Sequence, residues 1–245
     1  MKIKKYKKLA RGQYSIILDD DSILNLHEDL ILKYDLLLTK EIDNTMINVF
    51  LEENKKYTAY SDALRYLGIK MRSIKEIYEY LDKKMYSNEI INEVVEKLKK
   101  EKYLDDNLYA SYYVVDRIKM SNDGPYKIMK DLEKKGICIE YINNSIIEFN
   151  DKVQQDKIDK LINKQIKSNH NKSSILLKKK ILEYLINLGY DRSIILSRLN
   201  VIYNFDDEDI KNKEYEKIYK KLSRKYSGYE LEQMIKKKMY EKGFR

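Results

Sequence analysis

Ile128-Met129-Lys130-Asp131-Leu132-Glu133-Lys134-Lys135-Gly136-Ile137 decides the fold, because its skeleton occurs four times in the chain. Ile77, Ile128, Ile181 and Ile235 are each followed four residues later by Leu81, Leu132, Leu185 and Met239. Four residues further on stand Met85, Gly136, Gly189 and Gly243, and then Tyr86, Ile137, Tyr190 and Phe244. The first three copies continue in step through Ile91, Ile142 and Ile195, then Val95, Ile146 and Leu199, then Leu98, Phe149 and Ile202. An i, i+4 apolar ladder marks one helix face, glycine stops the helix, and the second ladder starts another helix. Ala59, Ala63, Leu64 and Leu67 match Ala110, Val114, Val115 and Ile118, which adds an opening helix to each unit. Modules repeated at a period of about fifty residues bury their apolar faces against neighbours. The expected fold class is therefore mostly α: tandem three-helix repeats in an elongated, curved array behind a small N-terminal β-hairpin or meander. Such an array offers an extended surface to a large partner.

Residues 1–38 read differently. Lys2 to Ala10, Gln13 to Leu18 and Ser22 to Leu26 are short β-rich runs broken at Arg11-Gly12 and Asp19-Asp20-Asp21, with a short helix expected over Glu28 to Tyr34. Thr39 is placed to cap the next helix, whose inner face is Ile42, Met46, Ile47, Phe50 and Leu51. The expected divisions are 1–38 for the β-containing segment, 39–106 for a linker helix and repeat one, 107–151 for repeat two, 152–205 for repeat three and 206–245 for a truncated repeat four. Ser73-Ile-Lys-Glu76 and Ser227-Gly-Tyr-Glu230 have the capping-box pattern, and Pro125 suits a first helical turn. Ser87 and Asp191 are placed to cap third helices; Cys138 holds that position in repeat two, is a poor cap, and is expected to be small and buried.

Composition narrows the classes. One cysteine in 245 residues excludes an internal disulfide, no apolar run approaches the roughly 20 residues of a membrane span, and Met1-Lys2-Ile3-Lys4-Lys5 is not a hydrophobic leader. A cytoplasmic protein without membrane attachment, and a monomer, is expected. The net charge of +9 is uneven: residues 160–200 and 211–245 each carry +7, while 39–159 carry −2. The first eleven residues add Lys2, Lys4, Lys5, Lys7, Lys8 and Arg11. Concentrated positive charge attracts polyanions, nucleic acid first among them.

Catalytic signals are scarce, and no cofactor is implied. His27 and His170 lie far apart without metal-ligand spacing, and neither a phosphate-binding glycine loop nor a G-x-S-x-G turn occurs. Asp106 of the Asp105-Asp106 pair reads as a helix cap, and Asp206-Asp207-Glu208-Asp209 as a solvated linker and helix start. No catalytic or metal-binding residue is assigned. Binding signals are better: Lys178, Lys179 and Lys180, with Lys236, Lys237 and Lys238, fall on middle helices as polyanion-facing candidates, one of each trio lying along the apolar face. The 23 tyrosines, Tyr86 and Tyr190 among them, read chiefly as packing residues rather than base-stacking platforms.

The stretches Ala63-Leu-Arg-Tyr-Leu67, Met71-Arg-Ser-Ile-Lys-Glu76, Lys102-Tyr-Leu-Asp-Asp106 and Leu132-Glu-Lys-Lys-Gly-Ile137 resemble the RecX family of recombination regulators. Tyr14 to Asp19 and Leu26 to Tyr34 are similar to the head of its Gram-positive branch, so the resemblance covers essentially the whole chain. It implies tandem three-helix repeats and a non-enzymatic protein that binds the RecA recombinase, mostly as its filament on single-stranded DNA. It further implies inhibition of ATP hydrolysis, strand exchange and co-protease activity. Arg65, Arg72 and Arg117 are the partner-contact candidates, with a structural ion pair as the alternative role for Arg65 and Arg72. Direct DNA binding without RecA is the competing reading, and a scaffold for another protein a third. Met85 departs from the family's usual glycine, which argues for a differently built turn.

Overall fold

The computed structural model describes residues 1–169, 173–202 and 207–244. His170 and Asp206, considered above, lie outside the described residues. Thirteen α-helices and a three-stranded sheet occur among the described residues, and they form two compact units, Met1–Tyr109 with Lys135–Ile137, and Ala110–Lys134 with Cys138–Arg245.

The first unit opens with an antiparallel sheet in the order β1 (Ile3–Lys8), β2 (Gln13–Leu18), β3 (Ile23–His27), with Tyr6 opposite Ile16 and Ile16 opposite Leu24. Arg11 and Asp21 take positive φ at the two turns, where polar residues tolerate it best. The alternation buries Ile16, Leu18, Leu24 and Leu26 against α1 (Glu28–Lys33) and α2 (Leu36–Thr39), together with Ile42 and Phe50. Thr39 is not a cap; it closes α2, and Asp43 instead accepts from Thr45 N at 3.0 Å. Leu51 faces solvent rather than the core. The linker helix and the opening helix of repeat one are one continuous helix, α3 (Ile47–Leu67), followed by α4 (Ile74–Asp82) and α5 (Asn88–Lys100). Ala59, Ala63, Ile77, Leu81, Ile91, Val95 and Leu98 form their common core.

The remaining helices are α6 (Asp106–Met120), α7 (Pro125–Lys134), α8 (Ile139–Ile146), α9 (Asp151–Lys167), α10 (Ser174–Asn187), α11 (Arg192–Ile202), α12 (Glu208–Leu222) and α13 (Gly228–Glu241). The ladder residues Ile128, Leu132, Ile142, Ile181, Leu185, Ile195, Leu199, Ile235 and Met239 are all buried. The middle helices α10 and α13 have 14 residues against 9 in α4 and 10 in α7, so they gain about one turn at their N-terminal ends.

The glycine column has a packing cause. Gly189 takes φ +88°, and a Cβ there would lie 2.5 Å from Lys127 N, at the start of α7. Gly124 N donates to Leu188 O at 2.6 Å and Tyr126 N to Gly189 O at 3.1 Å, so the C-terminal end of α10 abuts the N-terminal end of α7. Gly243 stands against the side chains of Ser173 and Leu176, and Gly136 against that of Lys75. Met85 takes the same left-handed conformation, φ +64°, and the same pair of closing bonds, Met85 N to Asp82 O and Tyr86 N to Leu81 O. Its turn is therefore built as in the other copies, contrary to expectation. The Met85 side chain is 91% exposed, so its Cβ stands in open space.

Helix starts follow capping chemistry with some exchanges of role. Ser73 and Glu76 form the expected capping box, and Asp191 caps α11 through Ser193 N at 2.7 Å. Ser227 makes no cap bond, because Gly228 enters α13 at φ +56° and aims its backbone differently; Ser87 sits at the start of α5 but makes no cap bond either. Asp105, not Asp106, caps α6 through Leu108 N at 2.9 Å. Asp106 instead accepts from Ile74 N, the first amide of α4, at 2.9 Å, and burial raises its carboxyl pKa. Asp207 does the same for α10, accepting from Ser174 N at 3.0 Å. In α7 that position is Pro125, which has no N–H to satisfy. Cys138 is at the start of α8 as placed, but it is exposed, because a residue preceding the first turn points away from the helix core.

Candidate functional site

The candidate arginines are tied into their own helices to different degrees. Asp62, buried on α3, accepts from Arg65, from Lys84 Nζ at 2.6 Å and from the Tyr86 hydroxyl at 3.0 Å. Arg65 keeps 41% of its side chain exposed, so one edge of its guanidinium remains open. Arg72 is 11% exposed, lies 3.8 Å over the Tyr66 ring, and pairs with Glu76 at 3.7 Å. Tyr66 in turn stacks on Tyr80 at 4.0 Å, so Arg72 takes the structural ion-pair position. Burial pushes the Glu76 carboxyl up, but the Ser73 amide and Lys135 outweigh it and hold it below its ordinary value. Arg117 is 38% exposed, 3.8 Å from Asp123 and stacked over Tyr113 at 5.0 Å.

The lysine trios divide by helix geometry. On α10, Lys178 is half-buried, Lys179 lies 4.0 Å from Glu183, and Lys180 donates to Asn169 Oδ1 at 2.8 Å. On α13 all three are exposed; Lys238 pairs with Glu241 at 2.7 Å, while Lys236 and Lys237 form no hydrogen bond or ion pair among the described residues.

A row outside those trios is better arranged for an extended polyanion. Lys160, Lys164 and Lys167 are spaced i, i+4, i+7 on α9, all exposed and without a carboxylate partner among the described residues. With Asn163 and Ser168 they line a shallow groove of 520 Å³. At 1.5 Å rise per residue the row spans roughly 10 Å along one face, on the scale of adjacent phosphates of a strand. Lys157 precedes them half-buried, donating to Ser121 O at 2.7 Å, and burial lowers its pKa. The row's i, i+4, i+7 helical spacing is visible in the sequence, though runs of consecutive lysines are the more conspicuous signal there. Tyrosine also divides more evenly than expected: Tyr190 is buried, but Tyr112, Tyr126, Tyr229 and Tyr240 are each more than half exposed.

His27 serves the fold. Its Nδ1 accepts from Asp29 N at 3.3 Å, its backbone N donates to Asn54 Oδ1 at 2.7 Å, and its ring stacks on Tyr57. Among the described residues no three His, Cys, Asp or Glu side chains converge on a metal position. No helix there is long and apolar enough to cross a membrane.

A family model described as "RecX, first three-helix domain" matches residues 59–98, which run from the second half of α3 to the end of α5. "Regulatory protein RecX" of Bacillus cytotoxicus is 31% identical over 250 residues, covering 97% of this chain and 91% of that protein. The chain belongs to the RecX family. The RecX protein of Oceanobacillus iheyensis is 29% identical over 247 residues at the same coverage. Among solved structures, a "Crystal structure of regulatory protein RecX" aligns at TM-score 0.65 with 27% identity over 79% of this chain and 96% of that one. RecX from Lactobacillus salivarius aligns at 0.57 with 28% identity over 60% of this chain and 96% of that one. Both the helical repeats and the family resemblance read from the sequence stand, and the relatives are named as regulatory proteins.

Proposed function

We propose that this chain is a non-enzymatic cytoplasmic regulator that binds the RecA recombinase, chiefly as its filament on single-stranded DNA, and restrains ATP hydrolysis, strand exchange and co-protease activity. The observation that carries this reading is the RecX relationship along 97% of the chain. Helical repeats suit the task, since modules that each touch one subunit multiply weak contacts through effective concentration. Holding neighbouring subunits at fixed spacing would oppose the rearrangements that ATP turnover and strand exchange require. Arg65 and Arg117, each with an open edge, are the arginines offered for recombinase contact; Arg72 would act by keeping its neighbourhood rigid. The α9 row, together with Lys178, Lys179, Lys180, Lys236, Lys237 and Lys238, supplies attraction to the DNA-bearing filament.

The test is ATP hydrolysis by the cognate RecA on single-stranded DNA across a titration of this protein. A saturable fall in rate is expected, weakened by Arg65→Ala while the melting midpoint stays nearly unchanged. An unaltered rate at saturating protein would overturn the reading. The unpaired α9 row also supports a second reading, direct DNA binding without RecA. That reading requires affinity for bare DNA as high as for the filament.

A further inference from the structure

The first strand of the sheet carries cations that serve no ion pair. Lys5, Lys7 and Lys8 on β1 and Arg11 on the turn after it are all exposed, and none forms a hydrogen bond or salt bridge among the described residues. Sequence and register explain why they stand unpaired. Between Met1 and Leu18 there is no Asp or Glu. Pairing of Ile3 with Leu18 and of Lys8 with Tyr14 puts Asp19-Asp20-Asp21 at the Ile3 end of β1, away from Arg11. There Lys4 takes Asp21 at 2.7 Å, while Asp20 accepts from the Ser22 amide at 3.0 Å and hydroxyl at 2.6 Å. At the other end a Cβ on Gly12 would lie 3.2 Å from Glu28 Oε1, yet Glu28 pairs with no cation among the described residues. β1 is also an edge. Beyond Ile3, whose N donates to Lys40 O at 2.8 Å, no backbone bond from outside the sheet reaches it among the described residues.

We infer that this strip is a second nucleic-acid contact, in the first compact unit, which holds the phosphates of a strand lying along β1 and reads no bases. Residues of a β-strand advance about 3.3 Å each, close to the roughly 3.4 Å per charge along one nucleic-acid strand. Lys5 and Lys7 therefore stand roughly 7 Å apart on one side of β1, two phosphate steps, and Lys8 and Arg11 continue the charge beyond them. Phosphate rather than base follows from the rings. Tyr6 and Tyr14 pack against the core of the sheet, the Tyr6 hydroxyl donates to Leu36 O at 2.5 Å, and Lys8 lies over the Tyr14 ring, so neither ring stands free for stacking. An acidic protein would need an aromatic or aliphatic anchor; here the exposed apolar side chain in register with the strip is Ile23, two strands away. Lysines on an edge also keep other strands from pairing, but that role does not extend to Arg11, which stands on the turn. The ligand class is that of the α9 row in the proposed function, yet the strip needs neither that row nor the recombinase, so either can fail alone.

The test titrates the full chain, without RecA, into fluorescent single-stranded oligonucleotides over a range of salt. Lys5→Gln, Lys7→Gln, Lys8→Gln and Arg11→Gln together should lower affinity at least about tenfold near 0.1 M salt, and should reduce the slope of log affinity against log salt by about 2, at roughly 0.7 per phosphate. The melting midpoint should stay at the wild-type value, because all four side chains are exposed. Removing the same amount of charge by Lys4→Gln, Lys33→Gln, Lys55→Gln and Lys99→Gln, each lysine within 2.8 Å of a carboxylate, should change affinity less than about threefold. Oligo-dT and mixed-sequence strands should lose affinity equally. Amide signals of residues 5–11 should move on adding the oligonucleotide, and should still move in the chain carrying Lys160→Gln, Lys164→Gln and Lys167→Gln. An unchanged slope, a loss no greater than that of the paired-lysine variant, a dependence on base composition, or unmoved amide signals would overturn the proposal. So would a polyglutamate peptide that moves the same signals at lower concentration than the oligonucleotide, which would give the strip to an acidic protein.

Discussion

Replacing Gly189 by Ala isolates what the glycine column does. Two costs arise in the folded state. A Cβ at φ +88° strains the backbone by about 1–2 kcal/mol. The new carbon would also lie 2.5 Å from Lys127 N and 2.7 Å from Lys127 Cβ. Because the first of these is backbone, α7 and α10 must separate, at the roughly 1–3 kcal/mol typical of overpacking. That movement lengthens the bonds from Gly124 N to Leu188 O and from Tyr126 N to Gly189 O, each contributing about 0.5–1.5 kcal/mol. The total is about 3–6 kcal/mol, minus a few tenths because alanine restricts the unfolded chain. Met85→Gly is the reciprocal test: relief of the left-handed strain and the added unfolded-state freedom nearly cancel, so the change should stay within about 1 kcal/mol. Urea titrations followed by circular dichroism would measure both, with hydrogen exchange assigning the loss in Gly189→Ala to the facing ends of α7 and α10. A loss below about 1.5 kcal/mol for Gly189→Ala would mean that backbone strain alone acts there, and the close-approach account would fail.

Leu132→Ala should cost about 2–5 kcal/mol, since its side chain is fully buried in the ladder, and an unchanged urea midpoint would break the repeat alignment. Lys242 and then Lys217 hold the Glu214 carboxyl below its ordinary 4.5. Its stabilisation is therefore present above that pH and lost as pH falls through the lower folded-state value; the stability gap between wild type and Glu214→Gln should close over that acidic window, as read by melting midpoints. Arg72→Ala should lower stability along with any inhibition of RecA, whereas Arg65→Ala should lower inhibition more than stability; the opposite order would exchange their roles. Lys160→Gln, Lys164→Gln and Lys167→Gln together should reduce the slope of log affinity against log salt by up to about 2 on single-stranded DNA, at roughly 0.7 per phosphate. An unchanged slope would make the α9 row a solvated face.

The interior of this protein was more legible than its surface. Ile77, Leu132, Ile181 and Ile235 could be placed in the core because burial enforces a helical period that the order of apolar residues betrays. The sheet and α1 were legible for the same reason, with turns marked by Arg11-Gly12 and Asp19-Asp20-Asp21. Misreadings fell where a residue's partner is distant in sequence. Asp106 looked like the cap of its own helix, but its acceptor oxygen meets Ile74, 32 residues earlier. Met85 looked like a broken turn because glycine elsewhere in the column answers to neighbours distant in sequence, Lys127 for Gly189 and Lys75 for Gly136. Arg72 carries the charge of a contact residue, yet it lies on the Tyr66 ring, which stacks in turn on Tyr80.

The repeats also show how one internal plan can carry different surfaces. Where the end of one middle helix abuts the start of the middle helix before it, the approach demands glycine, as at Gly189 against α7, while outward positions stay open. In the column of Tyr78, Met129, Leu182 and Lys236, the first three residues are half-buried and the last is exposed. In the column of Glu79, Lys130, Glu183 and Lys237, which faces outward throughout, charge alternates freely. A lysine replacing an apolar residue in the first column is therefore the informative change. Solvation alone explains Lys237, whereas Lys236 stands where the other three copies hold a half-buried, uncharged side chain.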